Sequence, residues 1–262
     1  NNSVLILLTN DDGIHSAGLQ ALADRLQSLG RIVVVAPDRE RSAIGHALTL
    51  HVPLRAEEIL ADRWAVSGTP TDAVNLGIHG ILKEKPDLVI SGINKGGNMG
   101  DDLTYSGTVA AAMEATLMGV PAIAVSLSSQ SFSYADFADA ARVAEQLAGT
   151  VTEHGMPADT FINVNVPPSK PLGIRLTRQG KRIYEDAVIE NIDPRGRTYY
   201  WIGAGGLDFQ DLEGTDFHAV QHGYVSVTPL HLDLTNYAAM DRLRQWLMEE
   251  LPVDSDSEAP QA

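Results

Sequence analysis

The sequence predicts an α/β protein: a Rossmann-like parallel sheet covered by helices on both faces, with a β-hairpin extension and a C-terminal helix. Two observations carry the sheet. Short, continuous apolar runs recur as VLILL (4–8), RIVVVAP (31–37), DLVISG (87–92), PAIAVSL (121–127) and FINVNVP (161–167). Ala/Leu-rich amphipathic stretches separate them. Strands that are apolar on both sides and alternate with helices are the pattern of a parallel sheet buried on both faces. A third observation is the change of texture after about residue 170, to short apolar alternation around a DPRG turn, which predicts a hairpin.

The expected helices are SAGLQALADRLQSLG (16–30), TPTDAVNLGIHGILKE (69–84), SGTVAAAMEATLMG (106–119) and YADFADAARVAEQLAG (134–149). Ser16 is placed to cap the first and Gly30 to close it, and Gly149 to close the fourth. His51 falls on an expected strand. GGLDFQDLEGTDFHAVQHG reads as loop, GYVSVTPL (223–230) as a strand and NYAAMDRLRQWLMEEL (236–251) as a helix. The organisation that follows is a core over 1–170, a hairpin arm and returning strand over 171–235, a terminal helix over 236–251 and a disordered tail over 252–262, which has almost nothing to bury. An arm and a terminal helix appended to such a core suit subunit exchange, with folding back onto their own core as the alternative.

Composition limits the function. The 262 residues include 19 Lys and Arg against 34 Asp and Glu, a formal charge of −15. Such a chain is not expected to bind a nucleic-acid duplex through its backbone. Small phosphorylated substrates remain open, because a bound cation reverses the local sign of a site. There are no cysteines, which removes disulfides, thiolate metal sites and cysteine nucleophiles and fits a cytoplasmic location. No apolar run approaches the ~18 residues of a membrane span, and VLILL is too short and lacks the basic leader of a signal peptide.

Ligands of an open parallel sheet bind beyond the C-terminal ends of its strands. Three such loops are expected to converge: TNDDG, APDRERSAIGHALTL and INKGGNMGDDLTYSGT. They bring Asp11, Asp12, Ser42, Asn94 and Asn98, with Asp101 and Asp102 behind. This is a hard oxygen set without sulfur, suited to Mg²⁺, Mn²⁺ or Ca²⁺. Taken singly, Asp11-Asp12-Gly13 also reads as a solvated turn and Ser42 as an ordinary cap. The loop holding Gly92, Gly96, Gly97, Gly100 and Gly107 leads into a helix that starts near Ser106 and Thr108, an arrangement that exposes backbone N–H groups to an anion. It has neither the nucleotide P-loop spacing nor the dinucleotide fingerprint. No G-x-S-x-G elbow is present. His15 and His46 fall in the candidate loops and are placed to assist phosphate, though neither is needed as a ligand.

TNDDG, APDRERSAIGHALTL, VSGTPTDAV, DLVISGINKGGNMGDDLTYSGTVAAAMEA, the DPRG turn and GTDFHAVQHGYVSVTPLHLDLT together resemble the SurE family, the stationary-phase survival proteins. The resemblance runs from residue 4 to about 236. It implies a metal-dependent nucleotidase that hydrolyses nucleoside 5′- and 3′-monophosphates, with short polyphosphate as a further substrate of many members. It implies a homodimer or homotetramer and one divalent cation per subunit, held by Asp11, Asp12, Ser42 and Asn94. It also implies that Asn98, Ser106, Gly107 and Thr108 hold the phosphate. The expected nucleophile is a metal-activated water, with direct attack by one aspartate as the alternative. A binding protein without turnover and an assembly protein are the rival readings from other classes.

Overall fold

Strand β1 (Val4–Thr9) shows how the fold is built. Successive side chains of a strand point to opposite faces. Ile6 and Leu8 pack into one apolar cluster together with Leu19 and Leu22 of helix α1 (Ala17–Leu26). Leu5 and Leu7 pack into a second cluster on the other face, with Val33 and Val35 of strand β2 (Gly30–Pro37). All four β1 side chains are buried, each stabilising the fold by roughly 1.5–3 kcal/mol relative to an exposed position. The computed structural model describes residues 4–183, 188–202 and 208–250.

The chain then forms β3 (Ala56–Leu60) and β4 (Arg63–Val66), an antiparallel pair, and α2 (Pro70–Leu76), which Thr69 and Asp72 close with a reciprocal capping box. β5 (Leu88–Lys95), α3 (Gly107–Leu117), β6 (Ala122–Leu127), α4 (Ala138–His154) and β7 (Thr160–Val166) follow. After them come β8 (Ile174–Leu176), β9 (Arg182–Ile183), the hairpin β10 (Val188–Ile192) and β11 (Thr198–Ile202), β12 (Asp208–Phe209), α5 (Asp216–Gln221) and β13 (Val225–His231). The described chain divides after Leu232, and described residues 233–250 form a separate unit built on helix α6 (Tyr237–Glu250).

Among the described residues, nine strands make one sheet in the order β3-β4-β2-β1-β5-β6-β7-β13-β8. The run from β4 to β7 is parallel; β3 at one edge and β13 beside β7 are antiparallel to it. Helices α1 and α4 share one apolar cluster and α2 and α3 the other, so both faces are covered. The α3 and α4 crossovers lie on opposite faces although β5, β6 and β7 advance across the sheet in one direction. The β6–α4–β7 unit therefore has the opposite hand to β5–α3–β6, an exception to the usual rule. Strand order reverses between β1 and β5, the place where open α/β sheets hold their ligands.

Several elements differ from the sequence-based expectation. The first helix ends at Leu26 and Gly30 already pairs with Val4 in the sheet. The fourth runs past Gly149 to His154 and ends at Gly155. His51 sits in an exposed bend, not a strand. The second helix stops at Leu76 and continues as a wider π turn over Gly77–Ile81. GTDFHAVQHG contains α5, capped by the Thr215 hydroxyl, where a loop was expected. The β3–β4 pair was not anticipated. The DPRG hairpin is present, its turn closed by Asp193, whose carboxylate accepts from the amides of Arg195 and Arg197. The expected disordered tail, 252–262, lies outside the described residues.

Candidate functional site

β1 ends in the segment that carries the two aspartates. Asn10 is fully buried and shapes the turn: its Nδ2 donates to the Gly13 carbonyl at 3.0 Å and to the Ser16 hydroxyl at 2.7 Å. Gly13 sits at φ 95°, a conformation that side chains beyond glycine rarely adopt. The chain thereby leaves strand geometry after Thr9, and Asp11 and Asp12 are freed from the strict alternation that would send them to opposite faces.

Asp11 is 5% exposed and accepts a 2.7 Å hydrogen bond from the hydroxyl of Thr108, which is fully buried on the first turn of α3. Burial, helped by the charge of Asp12, pushes the Asp11 carboxyl up to about 6, against the lowering effect of Thr108. Asp12 accepts from the Lys95 backbone N–H at 3.0 Å. Burial, with the charge of Glu40, raises its pKa too, while Lys95 opposes the shift. Among the described residues, Lys95 is the one cationic side chain near the pair, with Nζ 3.9 Å from Asp12 Oδ1. Two adjacent acids at a buried strand end are thus left with one long ion pair.

The other predicted residues arrive from the expected loops. The second loop docks on β1 through the Arg41 amide, which donates to the Asp11 carbonyl at 2.7 Å. Ser42 follows directly; it is exposed and its hydroxyl donates to Glu40 at 2.6 Å. Asn94 lies where the pairing of β5 with β6 shifts register, and its Nδ2 donates to the Gly96 carbonyl at 2.9 Å. That leaves its Oδ1 as the atom for a cation or donor. Ser106 caps α3 by accepting from the Val109 amide at 3.1 Å, so its own O–H remains to donate outward. Gly107 is needed for close approach: a Cβ there would lie 3.0 Å from Asp11 Cβ and 3.2 Å from Asp11 Oδ2. The helix N-terminus consequently packs against the aspartate, with the Gly107 and Thr108 amides among the first-turn N–H groups that have no partner within the helix.

Asn98 is held from a different side. Its Nδ2 donates to the Ser126 hydroxyl at 2.8 Å and its amide to Asn165 Oδ1 at 2.8 Å, while its carbonyl accepts from Nδ2 of both Asn163 and Asn165. It therefore sits at the ends of β6 and β7, and no contact ties it to the aspartate pair among the described residues. Asp101 and Asp102 do not join the site: Asp102 pairs with Arg182 at 2.7 Å, and Asp101 accepts from the Arg182 amide at 3.0 Å. His15 is exposed, and His46 points to Glu114 of α3 at 2.7 Å.

Sequence reasoning missed three supports. Asn163 and Asn165 clamp Asn98; their two-residue spacing on β7 puts both on one face, a readable signal. Glu114, buried inside an Ala-rich helix, joins His46 to Asn75, with only its charge in an apolar stretch to mark it. Asp216, fully buried, accepts from the amides of Gly100 and Gly180 and so grips the glycine-rich loop.

The family model described as survival protein SurE matches residues 6–186. The chain is 62% identical over 245 residues to the 5′-nucleotidase SurE of Syntrophotalea carbinolica, covering 94% of this chain and 98% of that one. It is 60% identical over 244 residues to the 5′-nucleotidase SurE of Geobacter sulfurreducens, covering 92% and 93%. The crystal structure of the SurE protein from Aquifex aeolicus superposes with a TM-score of 0.83 at 48% identity, over 92% of this chain and 99% of that one. By these matches the chain belongs to the SurE family.

Proposed function

We propose that the chain is a divalent-metal-dependent phosphomonoesterase that hydrolyses nucleoside 5′- and 3′-monophosphates to nucleoside and inorganic phosphate, with short polyphosphate as a further substrate. The observation that carries the proposal is the buried aspartate pair at the switch point, with the Asp11 carboxyl raised to about 6 and one cation at 3.9 Å. The relatives named 5′-nucleotidase support the reaction class. The donors fit a hard cation, Mg²⁺, Mn²⁺ or Ca²⁺: two carboxylates, the Asn94 amide oxygen and the Ser42 hydroxyl. When bound there, such an ion supplies Lewis-acid polarisation of a phosphoryl oxygen.

The chain's own groups then have these tasks. Asp11 and Asp12 hold the ion, with Ser42 and Asn94 completing the set. The amides of Gly107 and Thr108 and the Ser106 hydroxyl orient the phosphoryl group at the positive end of α3. Asn98 keeps a second Nδ2 hydrogen for a phosphoryl oxygen. The Thr108 hydroxyl acts through Asp11, since it is already donated there. Water adds to phosphorus, the P–O ester bond breaks, and the nucleoside hydroxyl leaves with a proton. Release of phosphate from AMP or GMP with Mn²⁺ or Mg²⁺, abolished by EDTA, tests the proposal; nucleotide binding without release would favour a sensor. Borohydride treatment of a quenched single turnover separates attack by water from attack by an aspartate, because only the second forms an aspartyl-phosphate, which borohydride reduces to homoserine.

Thr108→Val keeps the shape but removes the hydroxyl that steadies Asp11. Activity is expected to fall about 10–100-fold, with half-saturation moved to higher Mn²⁺ concentration, the scale seen for groups that orient a metal ligand. Thr108→Ser should recover most of it. Equal Mn²⁺ titration curves for Val and Thr would remove Thr108 from this role.

In this proposal the subunits assemble into a homodimer or homotetramer through the arm and the terminal helix. Ile189, Tyr200, Trp201 and Ile202 on the hairpin are exposed, as are Leu243 and Trp246 on α6; large exposed apolar groups of this kind favour association. Deleting 237–262 should lower the mass measured by light scattering. An unchanged mass would exclude the helix from the interface.

A further inference from the structure

A second cluster lies outside the hydrolytic site. Asp211, His218 and His222 each offer a ligand atom, and the three atoms lie within 4.8 Å of one another. Helix geometry explains the grouping: His218 and His222 are four residues apart at the end of α5, so both rise on one face, with ring centroids 4.1 Å apart. Asp211 reaches that face from the preceding loop, its Oδ1 accepting from His218 Nδ1 at 2.6 Å; an ion that takes both residues as ligands replaces this hydrogen bond and releases its proton to solvent.

The tautomer of His222 is an independent indication. Its Nδ1 lies 2.8 Å from the His218 carbonyl oxygen. A carbonyl only accepts, so Nδ1 carries the proton and Nε2 keeps the lone pair. A backbone carbonyl on the outer nitrogen is how metal-bound imidazoles are fixed in tautomer and direction.

We propose that Asp211, His218 and His222 form a second divalent-cation site, chemically unlike the oxygen set at the aspartate pair. Two imidazoles and a carboxylate suit borderline ions, Zn²⁺ above all, with Co²⁺ and Ni²⁺ as substitutes, and leave room for water. The formal charge of −15 raises the local concentration of any cation.

The position gives the site a consequence. The ion closes a short loop between residue 211 and residues 218–222. Inside that loop lies Asp216, which holds the amides of Gly100 and Gly180. The neighbouring Phe209 and Phe217 stack at 4.5 Å, and a Cβ on Gly100 would touch Phe209 at 3.0 Å. Zn²⁺ binding thus fastens the segment that grips the glycine-rich loop.

The test uses full-length protein freed of metal, with Asp12→Asn as background so that the aspartate pair contributes less. Zn²⁺ is titrated in competition with a chromophoric chelator, and Co²⁺ through its visible absorption. Asp12→Asn is expected to take up one equivalent of Zn²⁺ that Asp12→Asn/His222→Gln lacks. Saturating Zn²⁺ should raise the melting temperature of the first by about 3 °C or more and leave the second unmoved. His222 is exposed, so the substitution does not disturb the core; Asp211→Asn in the same background should repeat the loss. Equal Zn²⁺ stoichiometry with and without His222 overturns the proposal. Because the readout is binding, failure of the nucleotidase assignment would leave this result standing.

Discussion

Asp11→Asn and Asp12→Asn are each expected to lower nucleotide hydrolysis by about 10³-fold or more, the scale of losing a principal electrostatic group at a reacting centre, while the metal-free protein becomes more stable. The second half follows from burial. The Asp11 carboxyl is raised from 3.8 to about 6, first by desolvation and then by Asp12. Its folded pKa lies above its unfolded value, so the folded state binds the proton more tightly. Below about pH 4 both states are protonated and nothing is lost. Between about 4 and 6 the unfolded state gives up its proton while the folded state keeps it, so stability falls, and above 6, where both are ionised, the full cost is present. At about 1.4 kcal/mol per pH unit the burden reaches roughly 3 kcal/mol. Asparagine at 11 cannot ionise and escapes it. Melting of the EDTA-treated protein from pH 4 to 8 should show wild type losing stability through pH 6 and Asp11→Asn staying nearly level over the same range. Mn²⁺ should restore wild type far more than the variant. Full activity in both variants would end the assignment of the pair as metal ligands.

The same burial explains why a candidate site is visible in the sequence. A run such as Leu5–Leu8, buried on both faces, has one good solution, a strand inside a parallel sheet, and the place of the sheet's open edge follows from it. The Asp pair was then legible by position, since two acids at such an edge need either water or a cation. What stayed hidden depended on contacts distant in the chain. The β3–β4 pair is short, half exposed and acidic at Glu57 and Glu58, so it lacks the apolar signal of a buried strand. α5 has six residues between glycine-flanked loops, too few to show a helical period. Thr108 looked like a phosphate ligand because it opens a helix; only the fold reveals that Asp11, 97 residues away, takes its hydroxyl. The Asn163 and Asn165 clamp was half legible: their spacing announces one face, but not that Asn98 stands opposite.

The loop that carries Asn98 is held by a buried acid, and its removal is expected to be among the most damaging single changes to the fold. Asp216 is fully buried, and its two oxygens accept from the Gly100 amide at 2.8 Å, the Gly180 amide at 2.9 Å and its neighbour Phe217 at 2.8 Å. Burial holds its pKa above the ordinary value, against the pull of those three amides. Asp216→Ala leaves the Gly100 and Gly180 amides without an acceptor. Each such loss costs about 1–3 kcal/mol, and a cavity adds to it, so a loss of about 3–5 kcal/mol is expected in chemical denaturation. Asp216→Asn separates charge from geometry. Its one oxygen can serve only one side of the clamp, and its NH₂ would face the other amide. It should therefore destabilise nearly as much as alanine. If burial of the charge were the dominant effect, Asn would instead stabilise, and the clamp would not be what fixes the loop. Amide exchange at Gly96 to Gly100 reads the same question locally: both variants should lose protection there before they lose it in β1 or β5, because those strands keep both of their parallel neighbours.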